Sequence, residues 1–168
     1  MKISRSFPLL FLFMAGVISL EAQQPFPTTD FARLDGSTVS STELIGQGQP
    51  TVVTVWATWC RPCQMELDHF KGFHNRWTNE LGAQVIAISV DQPHHVRRIQ
   101  PMVRQKNWPY EIVVDAQRNL QSLLDFTNIP QLYVLDGEGR IVASYSGYEN
   151  DRAAQVDEHL VRLANSRK

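Results

Sequence analysis

Apolar positions along this chain fall into three kinds of run. Two are continuous and rich in β-branched residues, Thr51 to Ala57 and Ala83 to Val90. An apolar run without alternation predicts a strand buried on both faces, as inside a parallel sheet. A second kind recurs at helical spacing. Met65, Leu67, Phe70, Phe73 and Trp77 predict a helix from about Arg61 to Trp77. Val156, Leu160 and Leu163 predict a closing amphipathic helix over Ala153 to Leu163. The third kind is short and turn-bounded. Extended pieces around Asp35-Gly36 predict a hairpin, and Leu132 to Leu135 with Ile141 to Tyr145 predict an antiparallel hairpin around Asp136 to Gly139.

Smaller signals fill the gaps. Ser41 is placed to cap a short helix through Thr42-Glu43-Leu44 that ends at Gly46. Asp91 is the candidate N-cap of a helix opening at Pro93, and Pro101 should split that helix in two. Tyr110 to Val114 reads as a strand and Leu120 to Asp125 as a short helix, while residues 23–29 read as a flexible leader. Strand, helix, strand, helix and strand, then a hairpin and a helix, give an α/β fold with a mixed central sheet covered on both faces. Its first crossover joins parallel strands and should be right-handed.

Composition narrows the classes. The chain has 168 residues, enough for one domain with a substantial core, and the apolar and charged fractions of an ordinary globular protein. A net charge of −1 gives no footprint for nucleic acid or an anionic membrane surface. The N-terminus departs from this average. Lys2 and Arg5 precede fourteen uncharged residues, Phe7 to Leu20, and Leu20-Glu21-Ala22 ends on a small residue. That order predicts a signal peptide over residues 1–22 and therefore export. The apolar stretch would reach about 21 Å as a helix, short for a bilayer core of about 30 Å.

Export changes the meaning of the cysteines. Cys60 and Cys63 are the only two. A disulfide between residues three apart closes too small a loop to restrain the unfolded chain, so reactivity is the better reading than stapling. The pair lies where the first buried strand should give way to its helix. Unpaired N–H groups and the helix dipole there favour a thiolate, the attacking form of cysteine. Cys60, in the first turn, is the candidate attacking sulfur, and Cys63, one turn deeper, the resolving one. Arg61 sets a cation beside Cys60, and Pro62 fixes a helix-compatible φ between the sulfurs. Trp59 stands next to Cys60 as a candidate shield and partner contact.

The segment "WATWCRPC" (Trp56 to Cys63), followed by Gln64-Met65-Glu66, resembles the active-site segment of the thioredoxin superfamily. It is most similar to the exported TlpA/ResA-like branch. The likeness continues through "VIAISVD" (Val85 to Asp91), "VVDAQRNL" (Val113 to Leu120), "NIPQLYVLDGEGRIV" (Asn128 to Val142) and Gly147. It implies a thioredoxin-like domain over residues 30–168, with an N-terminal hairpin and an inserted βα segment. Ile129-Pro130 then matches a cis-proline segment lying against the cysteines, with the Ile129 backbone offered to an extended partner peptide. Where cytoplasmic thioredoxins bury an Asp this chain has Thr54, whereas Glu66 matches the acid that ResA-like proteins carry three residues after the second cysteine. Glu66 thus becomes the candidate proton acceptor for Cys63. The family often has Pro two residues after this Glu; here that residue is Asp68.

The resemblance implies a periplasmic thiol–disulfide oxidoreductase acting on protein thiols and disulfides, more as reductase than oxidant. Apocytochrome c is a client of the implied kind, and a membrane thiol-electron transporter the implied reductant. No dinucleotide or phosphate loop is present, so no cofactor is implied and electrons arrive by thiol exchange. Other readings of the same residues are a thiol peroxidase, a non-catalytic peptide binder, a Cu(I) carrier, and a zinc site formed with His69 and His74. The five residues between the cysteines and His69 are too few for a zinc-finger spacing.

Overall fold

The computed structural model describes residues 23–167; the expected signal peptide lies outside the described residues. The chain forms β1 (Asp30–Arg33), β2 (Thr38–Ser40), α1 (Ser41–Leu44), β3 (Thr51–Trp56) and α2 (Arg61–Asn75). A π-helical turn (Arg76–Glu80) prolongs α2. There follow β4 (Gln84–Ser89), α3 (Pro93–Val96), α4 (Ile99–Lys106), β5 (Glu111–Val114), α5 (Asn119–Leu123), β6 (Gln131–Leu135), β7 (Ile141–Ser146) and α6 (Arg152–Ser166). No helix among the described residues is long and apolar enough to cross a membrane.

The seven strands make one mixed sheet, in the order β2-β1-β5-β4-β3-β6-β7. The two continuous apolar runs lie side by side at its centre. β3 pairs in parallel with β4, from Thr51 opposite Gln84 to Trp56 opposite Ser89. On its other side β3 pairs antiparallel with β6, from Thr51 opposite Leu135 to Val55 opposite Gln131. All six residues of β3 are buried, as an apolar run without alternation requires. The β6–β7 and β1–β2 hairpins stand at the two edges. α2 and α6 pack together on one face. Leu67 and Phe70 of α2, Trp77 of the turn that prolongs it, and Val156 and Leu160 of α6 are wholly buried.

Four local expectations are corrected. Ser40, not Ser41, caps α1, and its hydroxyl accepts from the Thr42 N–H while Glu43 accepts from the Ser40 N–H. The Ser41 hydroxyl instead donates to the Pro27 carbonyl at 2.9 Å. Helices α3 and α4 do separate, but at Arg97-Arg98. Pro101 sits in the first turn of α4, where its missing N–H is not needed. Asp91 does not cap α3; it is buried and turned back toward the end of β3. The segment 23–29 is held against the domain. Pro25 bridges to Arg140, the Phe26 N–H donates to the Gly139 carbonyl at 2.9 Å, and the Phe26 ring packs edge-on against Tyr133.

Candidate active site

The cysteines sit at the junction between β3 and α2. A turn carries the chain across, with the Cys60 N–H donating to the Ala57 carbonyl at 3.0 Å. Buried Asp91 holds this turn from the end of β4. Its carboxylate accepts from the Thr58 N–H and the Thr58 hydroxyl, each at 2.8 Å, and from the Ser89 hydroxyl at 2.8 Å. The Gln64 amide donates to the Thr58 carbonyl at 2.8 Å and closes the turn from the helix side.

Cys60 is the N-cap residue of α2, and its Sγ accepts from the Cys63 N–H at 3.3 Å. The helix terminus therefore points an N–H group at the sulfur that the sequence marks as attacking. Arg61 and Pro62 occupy the first two helical positions, both exposed, where proline removes no needed donor. Cys60 and Cys63 are joined by a disulfide. Cys60 keeps a little exposure, 6 %, and Cys63 has none, so Cys60 is the accessible sulfur of the pair.

Two further segments complete the approach to Cys60. The Ile129-Pro130 peptide bond is cis, and the Ile129 carbonyl oxygen lies 3.8 Å from Cys60 Sγ. Gly147, with φ 76°, adopts a left-handed backbone conformation and donates its N–H to the Pro130 carbonyl at 2.8 Å, extending the β6–β7 ladder to the proline. Trp59 is 54 % exposed, unusual for so large an apolar side chain. Together with Val90, Phe126, Ile129 and Arg118 it lines a cleft of about 60 Å³ beside Cys60. A larger concavity, about 580 Å³ between β1 and the end of β5, includes neither cysteine nor Glu66.

Glu66 lies one turn beyond Cys63 and is buried, with 1 % of its surface exposed. Its Oε1 accepts from the Thr54 hydroxyl at 2.8 Å, and its Oε2 has no partner. Burial pushes this carboxyl up to about 7, against smaller opposing effects from the Thr54 hydroxyl and the Arg152 charge. A carboxyl poised near neutrality can take a proton and return it.

The site thus brings together Trp59, Cys60, Arg61, Pro62, Cys63 and Glu66 on one turn and helix, with Ile129, Pro130 and Gly147 opposite. Asp91, Thr58, Arg118 and Arg152 are additional to the sequence reading. Asp91 carried a signal, an acid directly after a buried strand, but a cap and a tertiary clamp look alike there. His69 and His74 turn to Tyr148 and Tyr110 rather than to one another, with ring centroids 5.7 and 5.5 Å away. Among the described residues no group of three or more His, Cys, Asp or Glu is arranged to hold a metal ion.

The chain is similar to known proteins in sequence and fold. The chain aligns with DsbE, a thiol:disulfide interchange protein of Haemophilus influenzae, at 26 % identity over 77 % of its length and 68 % of the relative's. The sporulation thiol-disulfide oxidoreductase A of Bacillus subtilis is 23 % identical over 79 % of both chains. The solution structure of a thioredoxin-like protein from Porphyromonas gingivalis superposes with a TM-score of 0.74 at 26 % identity, covering 83 % of this chain and 92 % of that one. StoA of Bacillus subtilis shares the fold with a TM-score of 0.61 at 20 % identity, over 79 % of this chain and 96 % of the other. Residues 22–144 match the AhpC/TSA family model. With that match and a thioredoxin-like fold, this chain belongs to the AhpC/TSA family.

Proposed function

We propose that this protein reduces disulfides of exported proteins in the periplasm. The Cys60–Cys63 pair is its exchanging group, and a membrane thiol-electron transporter restores the dithiol. The observation that carries this reading is a barely exposed sulfur at a helix N-terminus, bonded to a fully buried one and faced by the backbone of Ile129.

In the reduced protein, the Cys60 thiolate attacks one sulfur of a partner disulfide. The partner S–S bond breaks, one partner thiolate leaves, and a mixed disulfide forms at Cys60. Cys63 gives its proton to the Glu66 carboxylate, and its thiolate attacks the Cys60 sulfur. The second partner thiolate leaves, so two electrons pass to the partner and the Cys60–Cys63 disulfide closes. Trp59 and the cis-proline segment hold the partner chain extended beside Cys60, with Arg61 and Pro62 exposed next to the sulfur. Apocytochrome c, whose haem-attachment cysteines must be reduced, is a client of the right chemistry.

Two measurements test this. Insulin reduction by the full chain should turn over and be lost in Cys60→Ser. The reduction potential should lie near or below that of thioredoxin, about −270 mV; a value near −120 mV would make the protein an oxidant instead.

A further inference from the structure

Arg152 is a buried cation whose position is not explained by the partners it touches. It opens α6 and is only 3 % exposed. Its guanidinium lies 4.1 Å from the centroid of the Tyr145 ring, Nη1 donates to Gln155 Oε1 at 2.8 Å, and Nη2 pairs with the Glu149 carboxylate at 3.2 Å. Glu149 is largely in water, its side chain 56 % exposed, and Arg152 Nε has no partner. A buried charge so weakly compensated acts on other groups in its surroundings.

Those surroundings lead to Glu66. Thr54, Leu132 and Tyr145 stand directly opposite one another across β3, β6 and β7, in one row on one face of the sheet. Glu66 is hydrogen-bonded to the Thr54 end of the row, and Arg152 is stacked on the Tyr145 end. Leu132 between them is wholly buried and brings neither water nor a polar atom. Helices α2 and α6 close over the row, and both charged residues keep an unpartnered buried atom, Glu66 Oε2 and Arg152 Nε.

We propose that Arg152 acts on Cys63 through Glu66, its buried positive charge holding Glu66 ready to accept the proton Cys63 gives up, and that Glu149 sets how much of that charge Glu66 feels. The inference rests on Glu66 being the proton acceptor. Arg152 is then a positioning residue that touches neither sulfur nor partner. Charged neighbours on the surrounding elements are engaged elsewhere. Asp68 of α2 pairs with Lys106 of α4, Asp157 of α6 pairs with Arg76, and His159 of α6 bonds to the Tyr145 hydroxyl and Arg162.

The test follows the Glu66 carboxyl by carbon NMR in the oxidised full chain, across pH. In Arg152→Met its midpoint should rise, the direction that losing an opposite charge requires. Arg152→Lys should restore most of the shift, and Glu149→Gln should move the midpoint down. The pH at which Cys63 resolves a Cys60 mixed disulfide should follow in each case. A midpoint unchanged in Arg152→Met and in Glu149→Gln overturns the inference, as does a lysine variant no better than methionine. Should Arg152→Met not fold, the surface change Glu149→Gln alone decides. A Glu66→Gln protein that resolves as fast as wild type overturns the acceptor reading instead.

Discussion

The Thr54 hydroxyl donates a 2.8 Å hydrogen bond to Glu66 Oε1 between the central strand and the cysteine helix, with both side chains buried. Two positions that look like alternatives in the sequence, a strand position holding a threonine and a helix position holding an acid, are one site. The strand residue supplies no carboxyl; it grips the one supplied from α2. That grip favours the ionised form and opposes the upward pull of burial.

Thr54→Val keeps the shape and removes the donor. The Glu66 midpoint should move further up, carrying the pH dependence of Cys63 resolution with it. Leaving a second carboxyl oxygen unpartnered should also cost about 1–3 kcal/mol in urea unfolding at pH 8. An unshifted profile in a folded Thr54→Val protein would separate the hydrogen bond from the chemistry.

Stability should carry the same signature. Glu66 holds its proton up to about pH 7 in the folded protein, whereas an unfolded chain releases it near 4.5. Between those values the folded state binds more protons, so this residue's contribution falls as pH rises, and the loss is complete above about 7. Its size is about 3 kcal/mol. Urea unfolding of the oxidised protein at a series of pH values should show this decline, and Glu66→Gln should flatten it.

Asp91 secures the turn that presents Cys60. Asp91→Ala takes the acceptor from the buried Thr58 N–H, from its hydroxyl and from the Ser89 hydroxyl. The unfolding free energy should fall by about 3 kcal/mol, against almost no change in a neutral surface variant. Attack by Cys60 on a model disulfide should slow, because the sulfur is no longer held at the helix terminus.

On the proposed function, Trp59 serves partners more than the fold. With its ring 54 % exposed, Trp59→Ala should change unfolding free energy by no more than about 0.5 kcal/mol. kcat/KM toward a protein disulfide should fall about tenfold, while reaction with a small disulfide stays near wild type. Equal losses toward both substrates would place the tryptophan in the chemistry instead.

Much of this was legible from pattern. Short unbroken apolar runs rich in β-branched residues point to strands covered on both sides, and β3 and β4 are those strands. Cys60 at a helix start and Glu66 one turn past Cys63 follow from spacing along a single helix. What the sequence hid depends on distant partners. Ser40 and Ser41 are equivalent caps until Pro27 and Thr29 engage Ser41. Asp91 is a helix cap or a clamp according to where Thr58 lies. Arg152 falls just outside the helix expected from Ala153, and nothing in the sequence announces its burial against the ring of Tyr145. The segment 23–29 has too few apolar residues to announce its pairing with 139–141.

The most direct test of the whole account is a redox titration of the full chain in graded glutathione mixtures, quenched with an alkylating agent and read by mass. The account predicts one two-electron transition between a form with no free thiol and a form with two, abolished by Cys60→Ser. A Cys60–Cys63 bond that stays closed, or open, across the entire range would contradict it.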